Sequence, residues 1–163
     1  MRMKDEEFSI WLKNCNTHYL FFDGASKSNL GMEGADGIIC NANGDIKMAY
    51  ERGLGPLSNN RAKALALYQG LIQLQKLSIS TAMILVDSTI IISLMVSNRS
   101  ASNVLLQQTI NRCQALTQKM KEVCFFHVPR SLNKEADTRA NRACSKSIGN
   151  LRCNTIESQC YLP

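Results

Sequence analysis

The sequence has no apolar run long enough to cross a bilayer. Its longest apolar stretches are residues 83–86 and 90–96, the second interrupted by Ser93, whereas a spanning helix needs about 20 residues. No cationic and then apolar leader opens the chain, because residues 1–7 mix charges of both signs. No signal peptide is therefore expected, and an intracellular location, cytoplasmic or nuclear, is. Histidine is scarce, with two in 163 residues. The seven cysteines (Cys15, Cys40, Cys113, Cys124, Cys144, Cys153, Cys160) form no C-x-x-C pair and alternate with no histidine. That pattern argues against a zinc site. The count is odd, and Cys40 and Cys124 fall inside apolar patterns, so reduced cysteines lying mostly in a core are expected. Repeats and low-complexity segments are also missing.

What is present suits one globular domain. A chain of 163 residues can bury a sizeable core, and 45% hydrophobic with 20% charged residues excludes a disordered composition. Lysine and arginine outnumber aspartate and glutamate by 19 to 13, a net charge of +6. A moderately basic domain favours polyanionic partners, although the same charge also serves plain solubility. The basic residues form no single run, but they are denser at 119–121 and 130–146. No membrane partner is expected, and a monomer is.

Residues 1–17 read as a polar leader. Residues 18–22 read as a strand stopped by Asp23-Gly24, and 35–40 as a second strand. Asn41-Ala42-Asn43-Gly44 supplies turn chemistry, since Asn and Gly tolerate positive φ. Residues 46–54 read as the returning strand, ended by Gly53, Gly55 and Pro56. Ser58-Asn59-Asn60 signals a helix start, and 61–77 reads as the helix. Residues 81–86 form a buried strand stopped by Asp87. A short helix to about Ser97 follows, then a polar loop at 98–103, a long helix over 104–120 and a strand over 123–128. A last amphipathic helix is expected over 132–147, and the tail 148–163 shows no period. Hairpins followed by strand–helix alternation predict a mixed α/β sheet with helices on its faces.

Two strands end in aspartate, at Asp23 and Asp87, and Asp137 follows one turn into the last helix. If the two strands run side by side in parallel, both aspartates emerge at one carboxyl edge of the sheet, where α/β sheets bind ligands. Converging carboxylates stay ionised together when a hard cation lies between them, and Mg²⁺ prefers oxygen ligands. Two such ions about 4 Å apart suit in-line displacement at a phosphodiester. Each aspartate taken singly is more commonly a turn former or helix cap; the three contexts together favour the site.

Four blocks carry a family resemblance. They are Phe22-Asp23-Gly24-Ala25-Ser26 running on to Asn29 and Gly31, then Asn59-Asn60-Arg61-Ala62-Lys63, then Val86-Asp87-Ser88, then Asn133 through Ala136-Asp137. In this order they resemble the ribonuclease H family, over residues 18–147, and within it the type found in plants and their retroelements. The resemblance implies a ribonuclease H-like fold, with a mixed five-stranded sheet made of an antiparallel meander followed by parallel strands. It implies hydrolysis of RNA in RNA·DNA hybrids with two divalent ions, Mg²⁺ or Mn²⁺. Asp23 would bridge both metals, while Asp87 and Asp137 would hold one each. Gly24, Ala25 and Ser26 would bring backbone close to the hybrid. Asn29 and Ser58 resemble the pair that grips a DNA phosphate. Asn59 and Asn60 would face the minor groove, where 2′-hydroxyls mark RNA. Asn133 would support Asp137 and the substrate. His127 stands where some members carry a histidine that assists product release; packing at a strand end is the competing reading. Arg130 is either a phosphate contact or a solvated side chain.

The family pattern has glutamate where this chain has Lys63. Local physics also disfavours the lysine. With Asn60 as N-cap, Lys63 would sit at the position where glutamate closes a capping box, and a cation in the first turn opposes the helix dipole. The lysine also heads an apolar helical face (Ala66, Leu67, Gly70, Leu74, Leu77). Its head could reach Asp23 and Asp87, which makes the formal site charge −3 + 1 = −2 in place of −4 with glutamate. Metal-dependent cleavage is therefore expected to be severely reduced or absent. Glu51 is no obvious substitute. The competing functional readings are a weak hybrid-specific nuclease, a binding module that has lost turnover, and a retroelement-derived domain used for protein contacts.

Overall fold

The computed structural model describes residues 17–27, 32–97, 99–128 and 151–154. The polar leader to residue 16, Asn29, Arg130, Asn133, Asp137, the expected helix over 132–147 and most of the tail lie outside these described residues. The elements are β1 (His18–Lys27), β2 (Met32–Cys40), β3 (Ile46–Gly55), α1 (Asn59–Lys76), β4 (Thr81–Val86), α2 (Thr89–Val96), α3 (Val104–Gln118), β5 (Glu122–His127) and β6 (Leu151–Asn154). They form one mixed sheet in the order β5-β4-β1-β2-β3-β6.

The meander β1–β2–β3 is antiparallel, and β4 and β5 add in parallel beside β1. The Asn41–Gly44 turn closes the β2–β3 hairpin: the Asn41 carboxamide accepts from the Asn43 and Asp45 amides, and Gly44 takes φ 86°. The five expected strands all form. A sixth, β6, arises in the aperiodic tail and pairs antiparallel with β3 from Ala49↔Asn154 to Arg52↔Leu151. A four-residue edge strand is too short to show a two-residue period, so its pairing was not legible.

Helices α1, α2 and α3 share a core with one sheet face. Leu20, Phe22, Ile39, Tyr50 and Ile84 pack there against Leu67, Leu71, Leu74, Ile91 and Ile110. Each fully buried side chain of this kind stabilises the fold by about 1.5–3 kcal/mol. Tyr50 fastens the two layers, because its hydroxyl donates to the Ala66 carbonyl at 2.6 Å. Its ring lies over Gly37, which is its cross-strand partner, and its hydroxyl against Gly70 on α1. A side chain at either glycine would collide with it. A second cluster, including Tyr19, Phe21, Ile38, Ile46 and Leu85, lies on the other face. Cys40 and Cys113 are buried and Cys124 is half-buried, none of them in a disulfide. Burial pushes the Cys113 thiol up to about 12, and it donates weakly to the Ala64 carbonyl at 3.7 Å. These three match the reading of reduced core cysteines.

Candidate functional site

The Asp23-Gly24 pair does not end β1. The ladder with β2 continues through Asp23↔Asp36 to Lys27↔Met32. Strand pairing has overridden the local turn preference of Asp-Gly. What stops near Asp23 is the parallel pairing with β4, whose last register is Phe21↔Leu85. Asp23 therefore stands where β1 and β4 separate, and Asp87 follows directly after β4. The two aspartates meet at the carboxyl edge of the parallel strands, as expected.

Gly24 sets the distance to α1. A Cβ there would run into the main chain of Ala62 and Lys63, so only glycine lets the start of α1 rest on β1. The helix begins earlier than the sequence suggested. Ser58 is the N-cap, its hydroxyl accepting from the Arg61 amide at 3.3 Å, and Asn59 and Asn60 occupy the first two helical positions. Asn60 is therefore not the cap, and Arg61, not Lys63, sits at the capping-box position. The serine hydroxyl wins the cap because it reaches the amide three residues on from an extended backbone. The first turn holds no acidic residue. Asn59 is exposed and Asn60 half-buried.

Placed two residues deeper, Lys63 points its ammonium at both carboxylates. Nζ lies 3.0 Å from Oδ1 of Asp23 and 3.3 Å from Oδ1 of Asp87. Both aspartate side chains are buried, and Lys63 is 17% exposed. Burial acts strongly to lower the Lys63 pKa. The charges of Asp23 and Asp87, and the hydrogen bonds to both, together outweigh it, so the ammonium is held above the ordinary lysine range. Asp23 Oδ1 also accepts the Gly24 amide at 2.8 Å. Ser88 turns away from the pair to cap α2, accepting from the Ile91 amide.

Of the other expected residues, His127 ends β5 in register with Val86, beside Asp87, and is half-buried. Ala25 and Ser26 continue the β1 backbone past Gly24. Two further buried acids stand near the pair: Asp36, which the sequence reading did not single out, and Glu51, which it set aside as a substitute. Asp36 pairs with Asp23 across β1–β2, and Glu51 pairs with Asp36 across β2–β3. Cross-strand partners share a sheet face, so three carboxylates stand in a row across adjacent strands. All are less than 5% exposed, and each has an interaction partner. The alternation of β2 and β3 could have placed them on a common face, but register across a hairpin is needed to align them. Among the described residues, no group of three or more His, Cys, Asp or Glu side chains is arranged to hold a metal.

The comparisons with known proteins agree with this fold. The reverse-transcriptase-like family model matches residues 21–143. A protein of Arabidopsis thaliana named for ribonuclease H is 30% identical over 127 residues, covering 78% of this chain and 20% of its own. A bifunctional protein of Mycobacterium tuberculosis is 29% identical over 122 residues, covering 74% of this chain and 34% of its own. The chain thus spans a fifth to a third of the curated relatives it matches. The solved N-terminal ribonuclease H domain of that mycobacterial protein superposes with a TM-score of 0.74 at 26% identity, over 80% of this chain and 94% of that one. Ribonuclease H1 of the archaeon Halobacterium salinarum gives 0.74 at 24% identity, over 78% and 96%. The chain belongs to the reverse-transcriptase-like family, and its fold is that of a ribonuclease H domain.

Proposed function

We propose that this domain binds RNA·DNA hybrids at the Asp23–Asp87 edge, and that Lys63 leaves it with little or no hydrolytic turnover. The observation that carries this reading is the ammonium held between the two carboxylates. Mg²⁺ requires oxygen ligands at about 2.0–2.1 Å in near-octahedral array. A cation already 3.0 and 3.3 Å from the Oδ1 atoms competes for the same oxygens and the same space. It also brings the charge of the described site to −2 + 1 = −1. With Lys63 seated there, these residues do not fit the family's two ions, and no step of hydrolysis is routed through a metal here.

The features that would contact substrate are independent of that loss. The first turn of α1 presents Ser58, Asn59 and Asn60 with no acid, and helix N-termini favour phosphates. The Ser58 hydroxyl accepts from Arg61, which leaves its own proton for a phosphate oxygen. Net charge +6 adds to the attraction. A structural neighbour, LC11 ribonuclease H1 (TM-score 0.73, 22% identity), is solved in complex with an RNA/DNA hybrid, which supports the choice of substrate. Asp137, Asn133, Asn29 and Arg130 complete the proposed surface by family resemblance.

The test is anisotropy of a labelled hybrid in excess EDTA. Binding should persist without metal, weaken steeply with salt as phosphate contacts require, and exceed binding of the matching DNA duplex. Asn59→Ala with Asn60→Ala should erase that preference. No hybrid binding at low salt would overturn the reading in favour of a protein-contact role.

A further inference from the structure

At the other end of the sheet, where β1 and β4 begin and α1 ends, a groove of about 650 Å³ is lined by Thr17, His18, Lys47, Ser78, Ser80 and Thr81, among others. A neighbouring cavity of about 190 Å³ shares Ser78, Ile79 and Ser80 with it and reaches Lys119. Asp23 lies five residues along β1 from His18, roughly 17 Å at the usual strand rise, so this is not the carboxylate site. We propose that this groove is a second polyanion site, taking the phosphodiester backbone of a single nucleic-acid strand.

Three observations support it. The first is the sign of the field. Burial, and then the charge of Lys47, hold His18 below the ordinary imidazole range, which places the Lys47 ammonium near the mouth of the groove. Lys76 and Lys121 flank the lining segments in sequence, against Asp45 beside Lys47 and Glu122 beside Lys121. The second is Ser78. It adopts φ 58°, the left-handed conformation, just past the C-cap of α1, with its amide bonded to the Gln75 carbonyl. Glycine is the usual residue there and would relieve the strain. Serine instead keeps an exposed hydroxyl in the groove. The third is extent. The two adjacent cavities, with Lys47 lining one and Lys119 the other, exceed one phosphate and suit consecutive phosphates of a strand.

This inference stands apart from hybrid binding at the carboxylate edge, and its test separates the two. The full chain, labelled with ¹⁵N, is titrated with an oligothymidylate and, separately, with inorganic phosphate. Amide signals of Thr17, Ser78, Ser80 and Thr81 should shift with the oligonucleotide at far lower concentration than with phosphate. Lys47→Glu should weaken that binding about tenfold and lower the salt slope by about 1. Ser78→Gly should bind more weakly while unfolding at higher temperature, a combination that a purely structural role does not produce. Hybrid anisotropy with Asn59→Ala reads the other edge. The inference is overturned if the shifts are confined to the Asp23 edge, if Lys47→Glu binds as well as wild type, or if the oligonucleotide is no better than phosphate.

Discussion

Replacing Lys63 by glutamate should convert a metal-indifferent fold into a metal-dependent one. At 3.0 and 3.3 Å, and with an effective dielectric of about 20, each ion pair is worth roughly 5 kcal/mol of Coulomb attraction before desolvation is counted. Removing one partner of a buried pair leaves uncompensated charge and costs about 3–5 kcal/mol. Lys63→Glu does more, since the described site goes from −1 to −3. In EDTA the variant should therefore lose at least that much, a fall in Tm of roughly 6–20 °C for a domain of this size. Divalent ions should restore part of it, because a ligand at 100 times its Kd stabilises the fold by about 2.7 kcal/mol. Wild type, with its own cation in place, should barely respond. The assay is thermal unfolding of both proteins in EDTA and in saturating Mg²⁺. The reasoning fails if wild type gains as much from Mg²⁺ as the variant, or if Lys63→Glu is no less stable in EDTA.

Two further outcomes follow from the same geometry. Gly24→Ala should push α1 off β1, costing about 1–3 kcal/mol by overpacking. Urea denaturation gives the loss, and NMR of the Lys63 ammonium should show it parted from Asp23. The raised Lys63 pKa makes stability depend on alkaline pH. The folded state holds the proton more tightly than the unfolded chain, so the contribution is complete below the ordinary lysine pKa near 10.5 and is lost as pH rises through the higher folded value. Tm measured upward from pH 9 should fall more steeply for wild type than for Lys63→Met, and parallel curves would contradict this.

Strand and helix order was legible because each element carries its own period: five strands and three helices fall within a few residues of their expected positions. The juxtaposition of Lys63 with both aspartates was also readable, from the four ordered blocks and the apolar face below the lysine. Three features were settled only by three-dimensional context. Asp23-Gly24 reads locally as a stop, but the β2 ladder carries β1 through it. The cap falls on Ser58, not Asn60, because loop geometry selects among three adjacent capping residues. The row Asp23–Asp36–Glu51 exists only through hairpin register. Gly24 shows the converse: its identity was legible as a motif, but its physical reason, the pressed main chain of α1, appears only in three dimensions.

The central claim is that this ribonuclease H fold has an ammonium where its catalysis needs a carboxylate. Cleavage of a labelled RNA·DNA hybrid in Mg²⁺ or Mn²⁺ tests it most directly, comparing wild type, Lys63→Glu and Asp23→Asn. Wild type should bind the hybrid and leave it uncut or nearly so, and Lys63→Glu should gain cleavage. Robust wild-type cleavage that Asp23→Asn abolishes would contradict the claim.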